Sequence, residues 1–199
     1  MMCRKKIKAQ SRADVMKARL FICLALLLFC SPVSARETYP GGIVYGPKAA
    51  FNIAAPEGWV LDNTSGADQG LPCVLYPKGS SWSDARTIMY AKIASTQFED
   101  VNAFVAMAIK EMQERHGKPK EKIASGKTRD GHDYFINEYP ATKSYSQWER
   151  VAYVQLPRAV AYIVLSSRDE SSYRKDSPAL QEVLKTFVYL EPKSVQEKH

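Results

Sequence analysis

The sequence predicts an α+β fold: an α/β/α sandwich with a mainly antiparallel central sheet and two principal helices. Three observations carry this. Two pairs of strand-like runs flank tight turns, at 129–131 and 157–158, and hairpins make antiparallel neighbours. One run, Ala159–Ser166, is apolar almost without interruption, so both of its faces need cover. Two amphipathic segments, roughly Glu99–Arg115 and the stretch after Ser177, each carry one apolar stripe to bury.

The chain opens on a segment of another kind. Seven basic residues (Arg4, Lys5, Lys6, Lys8, Arg12, Lys17, Arg19) precede an apolar run from Leu20 to Cys30. Small residues follow, ending in Val33-Ser34-Ala35, and this predicts a secretory signal peptide cut between Ala35 and Arg36. The apolar run is too short for the ~20 helical residues that a bilayer core requires. A more compact leader would start at Met16. The expected organisation is a signal peptide over 1–35, a flexible 36–42, one domain over 43–190 and a flexible tail over 191–199.

Cleavage would change the composition. The full chain has 28 Lys+Arg, 21 Asp+Glu and a net charge of +7. Removing seven basic residues and one acid, Asp14, leaves 21 and 20, a net charge of +1. The basic balance therefore belongs to the leader and gives no reason to expect a nucleic-acid partner. Lys118-Pro-Lys120-Glu-Lys122 reads as a solvated loop. Cys3, Cys23 and Cys30 leave with the leader, so no disulfide is expected. Cys73, in the apolar run Leu71–Tyr76, is expected to be buried and inert.

Along the domain, Phe51–Ala55 alternates and stops at Pro56-Glu-Gly58, a turn, after which Trp59–Leu61 resumes as a strand. Asp62–Gly70 is a polar loop, Cys73–Tyr76 a strand, and 77–86 a second polar loop. Thr87–Ala94 alternates as a strand. In the helix over Glu99–Arg115 the stripe is Val101, Phe104, Val105, Ala108 and Met112, and Gly117 and Pro119 stop it. Lys122–Thr128 and His132–Tyr139 form a hairpin about Asp130-Gly131, both of which tolerate positive φ. Trp148–Leu156 and Ala159–Ser166 form the next one, with the latter strand in mid-sheet. The last helix starts at Ser177-Pro178, a cap followed by a first-turn proline, and buries Leu180, Val183, Leu184 and Phe187.

The phrase Phe51-Asn-Ile-Ala-Ala-Pro-Glu-Gly-Trp59, together with this order of elements, resembles the PsbP-like superfamily. So does the closing pattern: Tyr153–Gln155, its partner Ala161–Ser166, and a terminal helix ending near Thr186-Phe187. That superfamily includes an extrinsic subunit of photosystem II, nuclear-import factors that bind a small GTPase, and exported bacterial proteins. The resemblance covers most of 43–190 as architecture. It implies a non-enzymatic binding or assembly domain, because the superfamily has no common catalytic residues to carry over.

The search for chemistry agrees. His116 ends a helix, His132 follows a turn and His199 ends the chain, all expected to be solvated. His132 and Glu138 lie ~20 Å apart at strand rise, too far to act as an acid–base pair. No zinc or calcium spacing, nucleophile elbow or phosphate loop occurs, so neither metal nor cofactor is expected. Loops are where recognition residues gather. The loops at 62–70 and 77–86 are the expected binding surface, with Lys78, Trp82, Asp84 and Arg86 as its residues. Lys143–Trp148 is a further Ser/Tyr/Trp-rich stretch, suited to stacking or to hairpin packing. The expected function is an exported binding or accessory domain for a protein or small ligand in the envelope. The alternatives are a small hydrolase-like enzyme and a membrane-tethered accessory subunit.

Overall fold

The structure, a computed structural model, describes residues 41–191 apart from Thr96. The expected leader, the Ala35–Arg36 cut and the tail from 192 lie outside the described residues. Among these residues the chain forms ten strands and three α-helices, in an α+β arrangement.

Seven strands make the main sheet: β3 (Trp59–Asp62), β4 (Cys73–Pro77), β5 (Thr87–Ile93), β6 (Lys120–Lys127), β7 (Asp133–Tyr139), β8 (Trp148–Leu156) and β9 (Ala159–Ser167). Their order is β3-β4-β5-β9-β8-β7-β6, and every pairing is antiparallel. The continuous apolar run of β9 thus stands at the centre, as its composition predicts. Eight of its nine residues are buried, and only Tyr162 is partly open.

A second sheet of three strands forms from β1 (Gly42–Tyr45), β2 (Ala50–Ile53) and β10 (Val188–Leu190), with β2 in the middle. The expected central antiparallel sheet is thus joined by a second, smaller one. β2 leaves the main sheet because both of its edges are taken, one by each end of the domain.

Helix α1 (Val101–His116) covers one face of the main sheet; α2 (Glu170–Asp176), α3 (Pro178–Leu184) and the small sheet cover the other. Two cores result. The larger gathers Phe51, Trp59, Leu75, Met89, Ile163, Leu180 and Phe187, with Phe51 and Phe187 stacked at 4.5 Å. The smaller lies under α1, around Phe104, Val105, Val151, Tyr153 and Val164. Trp59 holds its place through the turn before it: its N–H donates to Pro56 O at 3.0 Å, and Gly58 supplies φ +78°. The side chain of Asp100 caps α1 by accepting from Ala103 N at 2.9 Å. Gln155 of β8 ties the same end down, accepting from Val101 N and donating to Glu99 O, each at 2.8 Å.

Several local expectations are corrected. Ser177 is helical and does not cap α3; its hydroxyl donates back to Tyr173 O and closes α2, a helix the sequence reading missed. Asp169 is the true cap there, accepting from Ser172 N. Phe187 lies just beyond α3, still buried. In the β6–β7 turn only Gly131 has positive φ, and the Asp130 carboxylate accepts from Thr128 Oγ1 and from Tyr189 N. Lys120 and Lys122 belong to edge strand β6 and not to a loop. Lys122 sits at φ +48° where the register shifts, and a bulged, lysine-bearing edge resists pairing with other chains.

Candidate functional site

The face of the sheet under α1 has side chains fixed by register. Because alternate residues share a face, three rows cross β5, β9 and β8. Ile88 stands opposite Ser166 and Ser166 opposite Glu149; Tyr90, Val164 and Val151 follow; then Lys92, Tyr162 and Tyr153. On β7, Tyr139 lies opposite Glu149. Seven strands make this face wider than one helix can cover. α1 seals it over Phe104 and Val105, but Met107, Ala108 and Met112 are only partly buried.

A groove remains. Between α1 and the rows lies a cavity of about 500 Å³, lined by Phe104, Met107, Met112, Val151, Tyr162 and Val164 among others. It continues at the end of α1 into one of about 450 Å³, lined by Tyr90, Glu111, Met112, Arg115, His116, Tyr145 and Glu149. On the side of the loops it continues into one of about 360 Å³ that reaches Gln69, Leu71, Trp82 and Gln147. Tyr90 and Glu149 line all three. A more open depression of about 400 Å³ beside Tyr45 and Leu71 adjoins through Lys92 and Ile93, and Lys92 is its one charged residue.

The polar residues of the groove meet at Glu149. Although it is a carboxylate, Glu149 is buried. His116 Nε2 stands 3.4 Å from Glu149 Oε2, and the Tyr145 hydroxyl donates to Oε1 at 3.4 Å. His116 Nδ1 faces Pro140 O at 3.5 Å, and its ring sits edge-on to Tyr145, centroids 4.2 Å apart. The expectation of a solvated His116 is therefore wrong: the end of α1 is folded onto the sheet, and the ring is closed in by Tyr139 and Tyr145. Ser166 Oγ donates to Gln147 Oε1 at 2.6 Å. Burial pushes the phenols of Tyr90, Tyr153 and Tyr162 up, and the charge of Glu149 adds to the rise at Tyr90 and Tyr153. At neutral pH these tyrosines are neutral and present rings and hydroxyls, not phenolates.

Both nitrogens of His116 face oxygen atoms of the protein, Pro140 O and Glu149 Oε2. The ring is thereby held between the α1–sheet seam and the carboxylate. Among the described residues, no three His, Cys, Asp or Glu side chains converge as metal ligands.

The four residues expected at the binding loop separate in space. Trp82 is half-buried and lines the groove. Lys78 is exposed just after β4, beside the turn that precedes β3, where its N–H donates to Gly58 O at 2.8 Å. Asp84 is exposed and accepts from Ser81 Oγ at 2.6 Å within its own loop. Arg86 reaches away to the cap of α2, pairing with Asp169 at 3.2 Å. Of the Ser/Tyr/Trp-rich stretch, Tyr145 and Gln147 line the groove, while Trp148 packs against Tyr173 on the opposite face. Sequence reasoning missed Glu149 and set His116 aside as a solvated helix end. The available signal was the acid at position 149 in phase with Val151 and Tyr153.

Cys73 is free and fully buried, and burial pushes its thiol up to about 12. A second polar cluster lies on the other face. Glu138 accepts from Lys120 Nζ at 2.8 Å, from Arg150 at 3.2 Å and from the Tyr173 hydroxyl. Desolvation opposes ionisation of Glu138, but these three donors together outweigh it and hold its carboxyl below the usual range.

No family description matches the chain, and no curated protein is similar to it. Solved structures are. LpqN of Mycobacterium tuberculosis, described as involved in cell envelope biogenesis, is similar at a TM-score of 0.51 and 14% identity, over 76% of this chain and 90% of that one. Cyanobacterial PsbP (CyanoP) from Synechocystis sp. PCC 6803 is similar at 0.46 and 13%, over 80% of this chain and all of its own. PA94 of Pseudomonas aeruginosa, of unknown function, is similar at 0.45 and 12%, over 78% of this chain and 99% of that one. At such identities the likeness is one of fold alone.

Proposed function

We propose that this chain is an exported, non-catalytic binding domain of the cell envelope, and that its ligand seats in the groove between α1 and strands β5, β9 and β8. One observation carries the reading. A cleft lined mainly by apolar and aromatic side chains adjoins, through the shared Tyr90, Met112 and Glu149, a cluster of convergent polar groups, and that combination marks small-ligand sites. The loop at 77–86 belongs to the site through Trp82, while Lys78, Asp84 and Arg86 lie outside it. Export rests on the leader, and N-terminal sequencing of the secreted form should return Arg36; a start before Leu20 would refute cleavage.

Native mass spectrometry of protein isolated from its own envelope tests the function. The wild type should carry a non-covalent adduct that Ala108→Phe, placed to fill the cavity, loses while still folded. An adduct of equal occupancy in both proteins would move the site elsewhere. Turnover of any substrate that is lost in His116→Ala would overturn the non-catalytic reading.

A further inference from the structure

We infer that the ligand of this groove is a small amphiphilic anion, its carboxylate-like head held by Lys92 at the mouth and its apolar body laid along the floor toward Glu149; the inference rests on the groove reading above. Lys92 is where the cavities meet. It lines the one under α1, the one that reaches Trp82 and the open depression beside Tyr45. The side chain is half-buried, and among the described residues its ammonium has neither an ion pair nor a hydrogen bond. A lysine so placed lays its carbons on apolar surface and keeps its charge at the edge of water.

The acids of the groove lie at its other end. Glu149 already faces His116 Nε2 and accepts from the Tyr145 hydroxyl. It stands in the row of Ser166 and Ile88, and Ile88 is ~13 Å of strand from Lys92. Glu111 is exposed and lies ~10 Å of helix beyond Phe104, whose ring packs on Tyr162, the residue opposite Lys92. Of the acids that open α1, Glu99 pairs with Lys48 and Asp100 caps the helix. Around Lys92 itself the lining is Ile93, Ala94, Ser95 and Phe104, with no acid among them. Between the two ends come Tyr90, Val151, Val164, Met107 and Ala108, and the cavity of about 500 Å³ is of ligand size. Pairing with a part-exposed lysine adds little affinity by itself. Burial of the body supplies the affinity, and Lys92 selects the head. A cation is repelled by Lys92 and meets in Glu149 a carboxylate already engaged, while a neutral ligand leaves the lysine unpaired.

The test is calorimetric titration of the whole protein with octanoate, octanol and octylammonium, one chain with three head charges. Octanoate should bind more tightly than octanol by about threefold or more, and than octylammonium by about tenfold or more. Lys92→Met should level octanoate with octanol, and Lys92→Glu should invert the order of octanoate and octylammonium. Lys110→Met, exposed on α1 and outside the groove, should leave the order unchanged. Octanol or a neutral apolar dye bound in the wild type and lost in Ala108→Phe, with no preference for octanoate or with a preference that survives Lys92→Met, would overturn the anion assignment and leave the groove reading standing. Acetate binding as tightly as octanoate would overturn the apolar body. Sedimentation with phosphatidylglycerol vesicles but no binding of free octanoate would replace the small solute by an anionic membrane surface. If no probe, dye or vesicle binds, or if Ala108→Phe changes nothing, both readings fall.

Discussion

Trp59→Ala tests the link between the Pro-Glu-Gly-Trp turn and the larger core. Trp59 is 8% exposed and joins the core with Phe51, Leu75 and Phe187. An aromatic side chain buries ~150–250 Å², which at ~25 cal/mol per Å² gives about 4–6 kcal/mol. That is an upper value, since an unfolded chain already hides part of its surface. Truncations of buried Phe and Trp to Ala cost about 3–5 kcal/mol, and the same range is expected here. The turn itself is held by backbone, Trp59 N to Pro56 O and Lys78 N to Gly58 O, so the loss is one of packing. Small domains have only about 5–15 kcal/mol in total, so the variant should fold with its melting temperature lowered by about 6–20 °C. Urea denaturation followed by circular dichroism reads the change. Trp82→Ala, at a half-buried position, is the control and should shift the midpoint by less than half as much. An unchanged midpoint for Trp59→Ala, or a larger shift for Trp82→Ala, would refute the assignment of Trp59 as a core anchor.

Two further outcomes follow from the titrating groups. Cys73, buried with its thiol raised to about 12, should react slowly with a thiol reagent at neutral pH and rapidly in urea; rapid labelling of the native protein would show that β4 is open. The carboxyl of Glu138 ionises more readily folded than unfolded, so its contribution is present above the ordinary glutamate range and is lost as pH falls through its folded value. Glu138→Gln should cost about 2 kcal/mol at pH 7 and flatten the stability profile below pH ~4.3; a profile parallel to wild type would exclude this carboxylate.

Legibility followed the range of the interaction. The central place of β9 was readable because a strand covered on both faces must be apolar throughout, and Ala159–Ser166 is. Trp59 was readable because proline and glycine fix the turn that points it inward. β1 and β10 were not, since each has four residues or fewer and pairs with β2 from opposite ends of the domain. α2 was hidden by its polar sequence, Glu-Ser-Ser-Tyr-Arg-Lys-Asp, in which only Tyr173 is buried. The groove was half readable. Trp82 stood out as an aromatic in a polar loop, but Glu149 and His116 meet only because the end of α1 folds down onto β8. Lys78 and Arg86 looked functional by proximity in sequence to Trp82, yet a loop turns its neighbours in different directions, here toward Gly58 and Asp169.

Hydrogen–deuterium exchange with and without the small-molecule fraction of the native envelope tests the central claim most directly. The groove account predicts slowed exchange confined to α1, β5, β8, β9 and the loop around Trp82, with no change along edge strand β6 or in the small sheet. Protection centred on β6 or on the small sheet, with α1 unaffected, would contradict it.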